Sequence, residues 1–179
     1  MIVEQTIDWI NEFVIGHNLC PFAKKVMAQK QYNCIASEDT SEESLLFALA
    51  QELRILEDFD SNTIDTAFFI TPNAFEAFED YLIFVDMANA VLMDLELEGV
   101  FQLATFHPKY QFAGTQVNDA ENFTNRSPYP MIHILREESV ENAVLNYPNV
   151  DEIPMNNIEK MNTLGRKVLV KQLAKYRKD

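Results

Sequence analysis

Three residue types set beside chain-stiffening prolines mark where this sequence could do chemistry. Cys20 precedes Pro21. With Cys20 as the N-cap and Pro21 as the first helical residue, the sulfur faces the free backbone N–H groups of a helix start, and the helix dipole favours thiolate. Lys24 and Lys25, one turn on, push the same way. The competing reading is packing, since cysteine is among the most buried residue types and behaves as a small hydrophobe. Cys34 alternates into a strand-like run and is read as structural. His107 ends another such run, and Pro108 stiffens the exit. Sites in open α/β sheets gather at that edge, and imidazole is the natural proton carrier near neutral pH. In the enzyme reading Cys20 is a nucleophile or redox thiol and His107 a general acid/base.

Residues 107–130 (HPKYQFAGTQVNDAENFTNRSPYP) have neither helical nor strand period. Structureless loops of this length are usually functional or disordered. Tyr110, Phe112, Phe123 and Tyr129 anchor this one, so it reads as a binding loop, ordered, with Phe112 and Phe123 buried. Arg126 is its one guanidinium, set among Asn122, Asn125, Ser127 and Tyr129. It could clamp a carboxylate or phosphate, or pin its own loop through Asp119 or Glu121. Asp119 and His133 complete the substrate-binding set, with the cation serving an anionic small molecule. His133 shares a strand face with Met131 and Leu135, which is also the pattern of a hydrogen-bonded core histidine. Ser127-Pro128 and Tyr129-Pro130 fix the chain as it re-enters the sheet and are places for a cis bond. His17, His107, His133 and Cys20 match no metal-site spacing, so neither metal nor cofactor is expected. Cys20-Pro21-Phe22-Ala23 is similar to a glutaredoxin-type CPxC turn lacking its second cysteine, which leaves one-cysteine thiol exchange as an alternative. A non-catalytic module binding a metabolite or a protein through the loop is another.

Regular elements must position these residues. Val3, Ile7, Ile10, Phe13 and Val14 give a first helix stopped by Gly16, and a second runs from Pro21 to about Gln29. Residues 31–36 form a strand. Thr40-x-x-Glu43 is a capping box ahead of Leu45, Leu49, Leu53 and Leu56. Residues 64–70 (IDTAFFI) are a strand buried on both faces. Thr71-Pro72 starts a long helix striped by Phe75, Phe78, Leu82, Val85, Leu92 and Leu95 and ended by Gly99. Strands follow at 100–106 and 131–135, then helices at 139–146 and 156–178. The order implies a single α/β or α+β domain over 1–179, with one mixed four-stranded sheet covered by helices. The last two strands, with no helix between them, should pair antiparallel.

The chain is long enough for a sizeable core, being 179 residues and 47% hydrophobic with 13 Phe. Its net charge of -14 opposes a general nucleic-acid binder. No apolar run is long enough to span a membrane, the N-terminus lacks the pattern of a secretory signal, and two cysteines make no disulfide scaffold, so a cytoplasmic protein is expected. Charge is uneven. Residues 160–179 hold 7 basic residues and 1 acidic, a net of +6; residues 1–159 hold 7 basic and 27 acidic, a net of -20. The terminal helix is therefore read as lying against an acidic body, with its last cations complementing the helix dipole.

At GHNLCPFAKKV, FQLATFHPKYQFAGT and NFTNRSPYPMIHILRE the sequence resembles the bacterial family known as Domain of Unknown Function 1415, over essentially the whole chain. In that family the first motif usually has Leu where this chain has His17, which counts against His17 as a metal ligand. The resemblance implies a small cytoplasmic bacterial protein and brings no activity with it.

Overall fold

The computed structural model describes residues 1–177. Four strands make one mixed sheet in the order β1-β2-β4-β3: β1 is Tyr32–Ala36, β2 Thr66–Ile70, β3 Phe101–Phe106 and β4 Met131–Arg136. β1 and β2 are parallel, joined by the crossover helix α3 (Glu42–Asp58). β4 pairs antiparallel with both β2 and β3, the latter as the missing helix between them requires. Helix α4 (Phe78–Asp94) joins β2 to β3. The fold is a single α+β domain, the mixed sheet covered by helices expected from the element order.

Strand alternation splits the interior into two cores. Ala67, Phe69, Phe101, Ile132 and Ile134 face α3 and α4, where Leu45, Leu49, Leu53 and Leu56 meet Tyr81, Phe84, Ala88 and Leu92. Phe68, Ile70 and Met131 face the other way, toward Trp9, Phe13, Phe123, Met161 and Leu169. Every residue of β2 is buried, so the run TAFFI serves both cores at once. Each such Phe contributes about 2–3 kcal/mol by leaving water.

Elements on the second face hold the candidate site. α1 (Ile2–Trp9) runs on into a π-helical stretch at Ile10–Ile15, and α2 (Ala23–Gln29) follows. α5 (Glu137–Asn146) leaves β4 directly. The terminal helix is two helices, α6 (Ile153–Leu164) and α7 (Arg166–Leu173). The break is at Gly165, whose φ of +75° is open to glycine and costly for other residues. Both helices pack on the long loop's 3-10 turn, Ala120–Thr124. Lys178, placed by the sequence in this helix, lies outside the described residues.

Two helix starts differ from the sequence reading. α4 begins at Phe78, because Thr71 does not cap it: the Thr71 N–H and Oγ1 both donate to the Pro130 carbonyl, at 2.9 and 3.2 Å. The chain runs on through Phe75 at φ +59°, a conformation a bulky side chain rarely takes. The buried stripe then shifts to Tyr81, Phe84, Ala88 and Leu92, leaving Leu82 43% exposed. α3 is capped by Ser41, whose hydroxyl accepts from the Ser44 N–H at 3.2 Å, in place of the Thr40–Glu43 box. The described residues contain no cis peptide bond, so Ser127-Pro128 and Tyr129-Pro130 are trans.

Candidate functional site

The second face of the sheet is not filled by side chains throughout. Between it, α2 and α5 lies a cavity of about 270 Å³. The strand register lays its floor in rungs. Thr66, Leu135 and Gln102 form one rung, and Phe68, His133 and Ala104 the next; Phe106 stands on the third. α2 supplies Ala23, Val26 and Met27 as one wall, and α5 supplies Ser139, Val140 and Ala143 as the other. The polar groups Asp65, Gln102, Arg136 and Ser139 gather beyond or at the first rung, so the cavity is polar at one end and apolar along its length.

Cys20 and His133 both line this space. Cys20 is not an N-cap: α2 starts at Ala23, and Pro21 and Phe22 form a turn. The turn still aims the Phe22 and Ala23 N–H groups at the sulfur. Burial nonetheless wins and pushes the thiol up, the two backbone donors offsetting only part. The expected thiolate-favouring helix terminus is thus corrected: Cys20 rests as a neutral thiol. Cys34 on β1 is pushed up further, to about 12, by burial and then by Glu52.

His133 stacks on Phe68, centroids 4.3 Å apart at 20°. Thr66 Oγ1 donates to the Ile134 carbonyl at 2.5 Å and sits 2.7 Å from His133 Nε2. Since the hydroxyl has one proton, Nε2 carries the ring proton and donates it to Thr66, leaving Nδ1 a bare acceptor with no partner among the described residues. Burial holds this imidazole down to about 3, so it is neutral at pH 7.

At the polar end, Ser139 donates to Asp65 Oδ1 at 2.5 Å. Arg136 Nε donates to the Ile64 carbonyl at 3.0 Å, and its Nη2 to those of Leu56 and Phe59. Its guanidinium lies 5.2 Å over Phe101. These groups are largely spent on one another and on the backbone.

The other sequence candidates sit elsewhere. His107 is on the opposite side of the sheet, its ring among Phe78 and Tyr81 of the α4 core. Nε2 donates to the Phe75 carbonyl at 2.8 Å and Nδ1 accepts from the Lys109 N–H at 3.0 Å. Both ring nitrogens are engaged, and burial lowers its pKa, so His107 fastens the strained 71–77 segment to the loop and does not meet Cys20. Asn122, fully buried, accepts from the Phe112 N–H and Thr115 hydroxyl and donates to the Gln116 carbonyl. Asn125 donates to Thr105 O, Asp119 accepts from the Gln116 N–H, and Ser127 donates to Tyr129 O. Tyr129 donates to Gln5 Oε1 at 2.6 Å. Arg126 donates from Nε to the Tyr110 carbonyl and from Nη2 to that of Val117, and meets neither Asp119 nor Glu121. Phe123 is buried as expected, whereas Phe112 is half-buried beside Tyr110.

The sequence reading singled out neither Thr66, Gln102 and Ala104 nor the walls on α2 and α5. Strand parity carried the signal for the floor, since Phe68, Ala104 and His133 share one rung. No cluster of three metal-ligating side chains exists among the described residues, whose helices include none long and apolar enough to cross a membrane. His17 Nε2 is instead 3.0 Å from Gln172 Oε1, tying the first helix to α7. Neither the curated proteins nor the solved structures contain a match to this chain. A family model described as a protein of unknown function, DUF1415, matches residues 1–171, and the chain belongs to that family.

Proposed function

We propose that this protein binds an uncharged, mainly apolar small molecule in the sheet-face cavity, anchored by one hydrogen bond to His133 Nδ1. The observation that carries this reading is a cavity of about 270 Å³ whose wholly apolar stretch holds one bare acceptor and one neutral thiol. A desolvated acceptor selects a ligand donor, because leaving it unpaired after the ligand expels water costs about 1–3 kcal/mol. A carboxylate or phosphate would enter against two neutral groups and an acidic protein field. The reading suits a cytoplasmic bacterial protein that handles a metabolite. A second reading, thiol exchange at Cys20 with a small thiol, rests on the two N–H groups aimed at its sulfur; a glutathione adduct at Cys20 after mild oxidation is its test.

Indole, bicyclic and uncharged with a single N–H, is a suitable probe. Thermal melts with indole should show saturable stabilisation, about 1.4 kcal/mol at tenfold excess over Kd. Ala104→Phe, which fills the middle rung, should remove that response while the protein stays folded. Equal stabilisation of both proteins, or a preference for benzoate over indole, would contradict the proposal.

A further inference from the structure

A second pocket, of about 260 Å³, lies between the end of the long loop and α7 and shares no lining residue with the sheet-face cavity. Two guanidiniums line it, Arg126 from the loop and Arg177 from just past α7. The rest of its lining is Pro108, Phe123, Pro128, Val170 and their neighbours, with no carboxylate. Arg126 is only 7% exposed, yet its partners are two neutral carbonyls and the Phe123 ring, 4.6 Å from its guanidinium carbon. Its Nη1 makes no hydrogen bond among the described residues. Burial, and after it the like charge of Arg166 at the start of α7, lower the Arg126 pKa. Arg177 rests over Tyr129 at 5.7 Å. None of the three arginines has an ion-pair partner among the described residues. In a protein with a net charge of -14, a buried guanidinium that shares a pocket with the exposed Arg177, and with no carboxylate in the lining, runs against the average field. Buried charges are ordinarily paired, and here the missing partner is an anion.

We propose that the pocket between the long loop and α7 binds a compact dianion, a phosphate or a phosphate monoester, held by Arg126 and Arg177. Two planar donors suit a doubly charged tetrahedral oxyanion better than a single carboxylate. The loop's arginine thus binds the anion with a partner from the C-terminal segment in place of Asn125 and Ser127, whose side chains are spent on the Thr105 carbonyl of β3 and the Tyr129 carbonyl.

Inorganic phosphate is the probe, titrated into the full chain at fixed ionic strength with chloride as the balancing ion, and read as melting temperature and 31P linewidth. Phosphate should raise the melting temperature saturably and broaden its own resonance; acetate should do neither. Arg177→Gln should lower phosphate affinity at least tenfold with an unchanged circular dichroism spectrum and phosphate-free melting temperature. Arg126→Gln should abolish binding, and if it destabilises the loop the Arg177 variant still decides. Lys167→Gln, which removes an α7 cation outside the pocket, should leave the phosphate response intact. An undiminished response in Arg177→Gln, an equal loss in Lys167→Gln, or no saturable response in the unaltered protein would overturn the proposal.

Discussion

The sheet-face cavity and the loop–α7 pocket are similar in volume and opposite in character. Along the apolar length of the first, both chemistry-bearing groups are held neutral: burial raises Cys20 and lowers His133. In the second, the buried Arg126 guanidinium has no ion-pair partner among the described residues, and neither has the exposed Arg177 that lines the same pocket. The difference follows from what burial can do to each group. Thiol and imidazole can shed charge within the physiological range, so desolvation neutralises them; guanidinium cannot, so it must be neutralised from outside. On the proposed readings, one chain offers a site for a neutral ligand and a site for an anion, and whether they rest on separate supports is open to test.

The largest expected effect tests that separation. Asn122 holds three hydrogen bonds within the loop that carries Arg126. Asn122→Ala leaves those partners unpaired and should cost about 3 kcal/mol in urea denaturation. It should also weaken phosphate binding while leaving indole binding intact. Loss of both would mean that the two pockets share one support.

The next effect concerns protons. The folded state refuses a proton at His133 until about pH 3, whereas the unfolded chain accepts one near the ordinary value of 6.5. The unfolded state therefore binds more protons between those limits, and stability falls as pH drops from about 6.5 toward 3 and is level above it. By pH 4 the loss at this one site should reach about 3 kcal/mol. The difference in pH dependence between the unaltered protein and His133→Gln isolates it, since His107, also depressed, is common to both. Parallel curves would show that His133 is not held neutral by burial.

Ala104→Phe comes third. Filling the cavity should change stability by less than about 1.5 kcal/mol while abolishing indole binding. A large loss of stability would mean that the space is too small for a ligand. The smallest effect is kinetic. Iodoacetamide at pH 7 should label both cysteines slowly, with Cys20 faster than Cys34 because Cys34 is pushed up to about 12 and Cys20 keeps two backbone donors. Rapid labelling of Cys20 would restore the thiolate reading.

Much of the fold was legible because it rests on periodicity. The continuous apolar run IDTAFFI and the segment MIHIL placed both central strands, and the leucine stripe placed α3. Starts and ends were less so, because caps are contested by tertiary partners: Thr71 spends its donors on Pro130, and α4 waits for Phe78. The 107–130 loop was visible as a feature, but not its inner wiring. Asn122, Asn125 and His107 bond mainly to backbone groups, which are the same in any sequence and so leave no mark in the spacing. The loop sequence points to Arg126 as an anion ligand, yet Arg177, which lines the same pocket, comes from the C-terminal segment. Cys20 and His133 were both picked, for different roles. That they share a cavity depends on how α2 crosses the sheet, which no local pattern encodes.

The central claim is that His133 Nδ1 is a bare acceptor awaiting a ligand donor in an apolar cavity. The direct measurement is 15N NMR of the His133 ring during an indole titration at pH 7. The account predicts a neutral ring with its proton on Nε2, an Nδ1 resonance that moves saturably with indole, and an Nε2 resonance that stays with its Thr66 partner. An Nδ1 resonance that does not respond to indole, or a ring already protonated at pH 7, would contradict it.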